Sequence, residues 1–397
     1  MNNKQNAEDN NLTVLLKSDK EILIFEKGNT NFDLFIKALK MQKETDVWKK
    51  CYTSELTIHA LEDNPIFLNQ LLETNPMDYS EEVILSEMEK KSTLFLEYPG
   101  EDKIKNVFIR NTAITSICDR AKIGGSALRK MNYIQFADVL NICLSQWDDF
   151  CLLLYRDGKI SAVHSGDSTD YSILPPADLI LSLKKKLDEK FEKYEFLSAF
   201  LSHQLCCAEF KLTNKNIMKM YEPYLKKLGY ENVGDFWPLL KFSTSDIAVS
   251  SVNLYPFISN GRICIQMGSP SSLMHKNKND IYDFEENLNG IYSLFQQSIE
   301  RLNKLSNMLL SYPDECFANI CKKVGLANKF ASDALMRFKD TRNANTTALE
   351  LYMAMWEIIN VMKNKNEDEH KIFNAQEKIS RVLGLDIFSY DKMKEFN

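Results

Sequence analysis

KFSTSDIAVSSVNLYPFISNGRICIQMGSPSS, residues 241–272, packs hydroxyls, one acid and strand-forming residues around the turn signal Ser259-Asn260-Gly261. β-Branched and aromatic side chains suit a pleated surface, and Asn-Gly accepts the positive φ angles of a tight hairpin turn. The stretch predicts an antiparallel unit with strands near 246–255 and 262–267 and a polar mouth. Ser243, Thr244, Ser245 and Asp246 head it, with Ser250 and Ser251 close by. They are a candidate pocket for a small polar ligand or a metal held through oxygens. The same residue types bond their own backbone and favour loop entries, so a plain turn is the alternative.

Upstream, Phe150–Arg156 and Lys159–Ser165 are strand-like runs separated only by Asp157-Gly158. Asp-Gly suits a type I′ turn, so a hairpin pairing 152–156 with 159–163 is predicted. The loop 166–174 leads to Pro175-Pro176, and apolar spacing predicts a long amphipathic helix over 177–200. Residues 203–212 read as another strand, and Asn214 as the cap of a following helix. Further upstream, 21–25 is a β-compatible run and 92–98 a strand. Downstream of 280 the chain reads as helical: one long helix over 281–310, stopped by Pro313, then shorter ones near 314–324, 328–339, 345–363 and 371–383. The fold class is α+β, a central antiparallel sheet with flanking helices and a C-terminal helical subdomain. The expected organisation is a disordered tail at 1–11, an N-terminal α/β region at 12–100, a linker over 101–105, a central α+β domain at 106–280 and a helical subdomain at 281–397.

With 44% hydrophobic and 11% aromatic residues the chain can bury a sizeable core, and its net charge of −6 argues against a protein coated in basic charge. Nine cysteines, an odd number without any CxxC pair, sit mostly in apolar runs. They read as buried free thiols in a reducing compartment. The polar start MNNKQNAEDNN has no apolar signal core, and no run of about 18 apolar residues exists. A cytosolic protein away from membranes is expected.

Two segments scan like helix-turn-helix units. Residues 117–128 have a turn at 123–125 and a second helix starting at Ser126, with Arg110, Arg120, Lys122, Arg129 and Lys130 around it. Residues 320–328 repeat the pattern, with Gly325 placed as a left-handed helix C-cap. A plain helical corner accounts for either. Lys184, Lys185 and Lys186 lie on the helix after the hairpin, and Lys226 and Lys227 follow with Tyr221 and Tyr224 interleaved. Cations neutralise phosphates and aromatics stack on bases, which suits single-stranded nucleic acid. A solvated helix face with half-buried tyrosines is the alternative reading, and Asp188, Glu189, Glu192 and Glu195 dilute the patch. The cluster 165–170, Ser-Gly-Asp-Ser-Thr-Asp, resembles a metal loop only loosely. Walker, GxGxxG, HExxH, GxSxG and kinase patterns are missing, and the five histidines do not pair at ligand spacing. His164 and His203, both near strand runs, are placed to meet across a sheet. No catalytic set, cofactor or metal is expected.

With the hairpin, the STSD segment and the helical end in view, the chain resembles the phage/plasmid-like protein family, a domain of unknown function of phages, plasmids and conjugative elements. The matching residues are Arg156-Asp157-Gly158-Lys159-Ile160-Ser161-Ala162-Val163-His164-Ser165, Phe242-Ser243-Thr244-Ser245-Asp246-Ile247-Ala248 and Asn253-Leu254-Tyr255-Pro256. Met267-Gly268-Ser269-Pro270, His275, Phe284-Glu285-Glu286-Asn287-Leu288, Cys316, Lys323-Val324-Gly325-Leu326 and Leu351-Tyr352 continue it through about 106–390. Relatives place an aromatic soon after the hairpin serine, whereas here Tyr171 comes later. The resemblance implies a mobile-element origin, a cytosolic protein and no established reaction.

Together these readings predict a non-catalytic nucleic-acid-associated protein of a phage or mobile element, handling single-stranded DNA in recombination or replication. Lys184–Lys186, Lys226 and Lys227 would contact phosphates, and Tyr221 or Tyr224 would stack. The alternative is a protein-interaction or host-takeover factor with a host or phage protein as partner, such as an inhibitor of a defence system. An enzyme using the STSD pocket ranks third.

Overall fold

A computed structural model describes residues 4–6, 22–60, 94–100, 104–167, 170–230, 232–342 and 344–393. In chain order the elements are β1 (Lys4–Asn6), β2 (Ile22–Phe25), α1 (Asn29–Thr45), β3 (Val47–Tyr52), β4 (Thr57–Ala60), β5 (Leu94–Pro99), β6 (Ile104–Ile109), α2 (Asn111–Arg120), α3 (Tyr133–Leu144), β7 (Phe150–Arg156) and β8 (Lys159–Ser165). Then come α4 (Pro176–Lys190), β9 (Tyr194–Ser202), β10 (Cys206–Leu212), α5 (Lys215–Lys227), β11 (Trp237–Thr244), β12 (Val252–Ser259), β13 (Cys264–Gln266) and β14 (Ser271–Leu273). The helical end is α6 (Ile281–Asn289), α7 (Ile291–Gln296), α8 (Ser298–Ser306), α9 (Pro313–Val324), α10 (Asn328–Thr341), α11 (Ala348–Met355), α12 (Glu357–Asn364) and α13 (Glu369–Ser380).

The α+β class holds, with strands gathered into two sheets. The larger runs β1-β2-β9-β10-β11-β12-β13, with β14 also on β12, and is antiparallel except at β1–β2. The smaller runs β3-β7-β8-β6-β5-β4, antiparallel except where β6 meets β8. One apolar core joins the larger sheet to α1, α4, α5 and the C-terminal helices: Phe257 meets Trp356 edge to face at 5.4 Å, and the Tyr352 hydroxyl donates to the Gln266 carbonyl at 2.9 Å. The helical end is therefore a wall of the main core. A second core lies between the smaller sheet and α2 and α3. β5 pairs with β6 across the expected linker, so the smaller sheet spans the boundary drawn at 100–106. Of the expected tail, residues 4–6 form β1 and the other positions lie outside the described residues.

The β7–β8 hairpin forms as predicted. Asp157 and Gly158 take φ of 52° and 76°, as a type I′ turn requires. The register runs from Arg156 opposite Lys159 to Cys151 opposite Ser165, with one bulge after Leu154. Asn214 caps α5 through the amides of Asn216 and Ile217. Gly325 closes α9 with φ of 74°.

Other expectations are corrected. The helix over 177–200 stops at Lys190, and Tyr194–Ser202 is β9. A bulge sits at Leu197: Phe210 faces Phe196, while Glu209 faces Ser198. The inward phase therefore jumps from Phe196 to Ala199 and Leu201, and that step of three copies a helical repeat. The strand placed at 246–255 is half turn: β11 has already ended at Thr244, and the strand that follows, β12, runs from Val252 to Ser259. The helix over 281–310 breaks at Gly290, which caps α6, and again at Gln297, and it ends at Ser306. No α-helix begins at Ser126; Lys122 and Gly125 take positive φ, and α3 starts only after Asn132, whose side chain accepts from the Gln135 amide. The first helix-turn-helix reading fails on that geometry, and the second segment is an ordinary corner between α9 and α10.

Gly166 leaves β8 against the backbone of Phe150. A Cβ there would lie 2.6 Å from the Phe150 Cβ and 2.7 Å from its carbonyl carbon. Gly166→Ala should lower stability by about 1–3 kcal/mol, the usual range for overpacking. Urea unfolding of the full chain measures it; an unchanged midpoint would mean that β7 shifts freely.

Candidate functional site

Thr244 ends β11, and the chain turns through 245–251 before β12. Ser245 shapes the turn: its hydroxyl accepts from the amides of Ile247 and Val249 at 3.3 and 3.2 Å and donates to the Gln204 carbonyl at 2.6 Å. Asp246 is thereby driven toward the smaller sheet. Its Oδ2 accepts from the Arg156 guanidinium at 2.7 Å, and Asp46, between α1 and β3, takes the same guanidinium at 2.8 and 2.5 Å. The three side chains are 7% exposed or less. Arg156 also donates to the His203 carbonyl at 3.3 Å.

Rings close around this triad. The Asp246 carbonyl accepts from the Tyr171 hydroxyl at 2.9 Å and from His164 Nε2 at 2.8 Å. A carbonyl only accepts, so His164 carries its proton on Nε2. His275 Nδ1 faces the Ser172 carbonyl at 3.3 Å, and its Nε2 takes the Thr244 hydroxyl at 3.1 Å. Tyr171 stacks on His164 with centroids 3.7 Å apart, and Trp48 lies 6.1 Å from His164 and 5.8 Å from Tyr171. On the other flank, His203 Nε2 meets the Thr112 hydroxyl at 3.0 Å. His164 and His203 thus lie on two sides of Arg156 and do not form one ligand set. Among the described residues no group of His, Cys, Asp or Glu is placed to hold a metal ion.

Burial governs the charges. It pushes His164 down to about 4, against the pull of Asp246, and His203 down to about 2, with Arg110 and Arg156 adding to the effect. His275 is lowered for the same reason, and Tyr171 is held well above its usual range. Burial raises the Asp46 carboxyl, and Arg156 only partly offsets it. Burial opposes the charge on Arg156, but its two carboxylate partners outweigh this and hold it above its ordinary value. The site is an ion triad ringed by neutral imidazoles. Two buried atoms, Asp246 Oδ1 and His203 Nδ1, lack a hydrogen-bond partner among the described residues. Carboxylate, imidazole and phenol are the ingredients of acid–base chemistry, but here each is engaged with protein and buried. Thr244, Ser245 and Asp246 belong to a clasp between the sheets, and the open polar pocket expected of them is filled by their neighbours.

Ser243 points to the opposite face of β11. Its hydroxyl lies 3.2 Å from that of Ser250 and 3.5 Å from that of Tyr255, which donates to Glu377 on α13. On the same face Lys241, 6% exposed, bonds Gln376 and lies 3.7 Å from Glu209. It floors a cleft of 180 Å³ with walls from Phe200, Cys207 and Phe373.

The expected nucleic-acid contacts separate. Lys184, Lys185 and Lys186 lie on α4, where Lys184 pairs with Asp188 at 3.0 Å and Lys186 with Glu189 at 2.8 Å. Lys226 and Lys227 are exposed at the end of α5, and Lys226 pairs with Glu222 at 2.7 Å. Tyr221 is fully buried, with its hydroxyl on the Phe295 carbonyl and Ser298, and Tyr224 is buried beside it. Both sit on the apolar stripe of α5, so neither ring is available to a base. Sequence reasoning missed Asp46, Arg156, Tyr171 and His275 as one unit. The available signal was three histidines near strand ends, with an arginine ahead of the Asp-Gly turn. No family model matches the chain, no curated protein matches it, and no solved structure matches its fold.

Removing one member of the triad strands a buried charge. Arg156→Met should cost roughly 3–5 kcal/mol, read by chemical unfolding; a loss under about 1 kcal/mol would mean that water reaches the carboxylates. The histidines also fix a pH dependence. A histidine with a lowered folded value stabilises the fold fully above pH 6.5, and that contribution is lost as pH falls toward the folded value. For His164 and His203 the loss at pH 5 is roughly 2 kcal/mol each. The raised Asp46 carboxyl acts in the opposite sense at lower pH. Unfolding at pH 7, 6 and 5 should show the fall, and His164→Gln should reduce its slope; a flat profile would contradict buried neutral imidazoles.

Proposed function

We propose that this is a non-catalytic binding protein whose partner is another protein, engaged as an extended strand along β3. The observation that carries this reading is an exposed aromatic pair at an open sheet edge. β3 ends the order of the smaller sheet, and no strand pairs with its outer side among the described residues. Tyr52, 43% exposed, and Phe150, 41% exposed, stack there at 4.3 Å, and Lys50 lies over the Phe150 ring at 4.4 Å. Val47 at the other end of β3 is half exposed. An unpaired edge supplies main-chain donors and acceptors, and flanking apolar side chains supply selectivity. The clasp offers no accessible reacting group, which supports binding over catalysis. In the mobile-element setting implied by the sequence resemblance, the partner is a host or phage protein. Nine free thiols support a cytosolic setting, and no helix among the described residues is long and apolar enough to cross a membrane.

Single-stranded DNA is the second reading, favoured by Lys50 beside the Tyr52–Phe150 pair and by exposed Lys185, Lys226 and Lys227. Selection of peptides from a displayed library on the full-length protein, beside titration of labelled oligothymidylate, separates the two. The protein reading expects peptides whose affinity falls at least tenfold in Tyr52→Ala and Phe150→Ala. Peptides indifferent to both substitutions would sink it. Oligothymidylate binding at about 50 mM salt that weakens steeply with added salt would favour the DNA reading instead.

A further inference from the structure

β3 and β7 are neighbours in the smaller sheet, and their register places Cys51 directly opposite Cys151. We propose that these two residues are a reversible cross-strand disulfide site, closed by a hydroperoxide and reopened by a dithiol. The proposal stands apart from the docking reading, although the site adjoins the Tyr52–Phe150 pair.

Opposed residues in an antiparallel pair have Cα atoms about 4.5–5.5 Å apart, inside the span of about 4.4–6.8 Å that a disulfide bridges. Both side chains point into the same core, and the sulfurs are already 3.5 Å apart. Side-chain rotation alone has to bring them to a bond of about 2 Å. The other cysteines lack this arrangement. Cys206 and Cys207 are consecutive on β10, so their side chains leave opposite faces. Cys316 donates to the Ile387 carbonyl at 3.7 Å.

The pair is chemically asymmetric. The Cys151 thiol facing the Cys51 sulfur draws Cys51 below the ordinary thiol range despite burial, and the same contact holds Cys151 far above it. Cys51 is thus the more acidic thiol of the two, and it lies on the edge strand with 6% of its surface exposed, against none for Cys151. The Cys51 sulfur attacks one peroxide oxygen, the O–O bond breaks, and hydroxide leaves to take a proton as water. Cys51 is then a sulfenic acid. The Cys151 sulfur attacks the Cys51 sulfur, the S–S bond forms and the S–O bond breaks. The departing hydroxide takes the Cys151 proton as a second water. Two thiols lose two electrons in all, and the peroxide is reduced to two waters. The product ties the free edge of the sheet covalently to its neighbour.

The test uses the native full-length chain. Protein exposed to hydrogen peroxide is denatured, alkylated, digested without reductant and analysed by mass spectrometry. Oxidation of the exposed Met336 and Met393, both more than 60% exposed, reports that peroxide acted. A peptide linking Cys51 to Cys151 in most molecules, lost on treatment with dithiothreitol, is the expected result. Both cysteines alkylated while the methionines are oxidised would overturn the proposal, as would either cysteine linked elsewhere. In Cys151→Ser, Cys51 should stop at the sulfenic acid and be trapped by dimedone; an untrapped Cys51 in that variant would overturn the assigned order.

Discussion

Arg156 sits between two carboxylates that come from different parts of the chain, and the joining of the two sheets depends on it. Asp46 marks the point where the chain passes from α1, packed on the larger sheet, to β3 in the smaller one. Asp246 marks the turn that leaves β11. One guanidinium holds both at hydrogen-bond distance, its planar fork matched to both oxygens of Asp46 and a single further N–H reaching Oδ2 of Asp246. Desolvating three charges is expensive, and such groups seldom add net stability over an apolar equivalent. Their contribution is geometric: the triad is satisfied only when both sheets stand in one relation. Beside it, Arg110 on the entry to α2 meets Asp157 of the hairpin turn at 3.3 Å, so the turn itself is tied to the smaller sheet's own helix.

This arrangement explains why a chain with acids, imidazoles and hydroxyls offers little open chemistry at its centre. Thr244, Ser245, Asp246, His164 and His275 spend most of their hydrogen-bonding capacity on one another, on Arg156 and on backbone amides and carbonyls. Buried polar groups of this kind are tolerated when satisfied, and the two unsatisfied atoms there sit at the ends of the network. What faces solvent is different in character: an aromatic pair on an edge strand, and lysines largely paired with acids one helical turn away. The latter are worth little in stability and are screened by salt.

Much of the fold was legible because local rules and the tertiary outcome agree. Asp157-Gly158 demanded positive φ, Asn214 supplied a cap oxygen, and Gly325 supplied a left-handed stop, each independent of distant partners. Legibility failed where a local irregularity disguised the period. The bulge at Leu197 made a strand look helical, and Gly290 and Gln297 cut one helical repeat into three helices. The candidate site was half legible. Ser243 through Asp246 stood out as a polar run, and His164 and His203 were suspected of meeting. Their partners lie between 46 and 275 in the chain, and nothing in local spacing encodes which sheet each strand joins. The tyrosines of α5 misled for a related reason: Tyr221 and Tyr224 follow the apolar stripe of an amphipathic helix, and interleaved lysines are what such a helix shows to water.

The shared core of the larger sheet and the helical end also bears on how the chain folds during synthesis. The smaller sheet has all its strands once residue 165 has emerged from the ribosome. The larger sheet is in a different position: β2 must wait for β9, and the core keeps recruiting side chains up to Val382, Leu383 and Ile387. Contacts so distant in sequence carry a large loop-closure cost and form slowly. The early lobe would therefore stand finished while the late lobe still lacks its outer wall. Asp46 and Arg156 would already be in place, awaiting the carboxylate of Asp246.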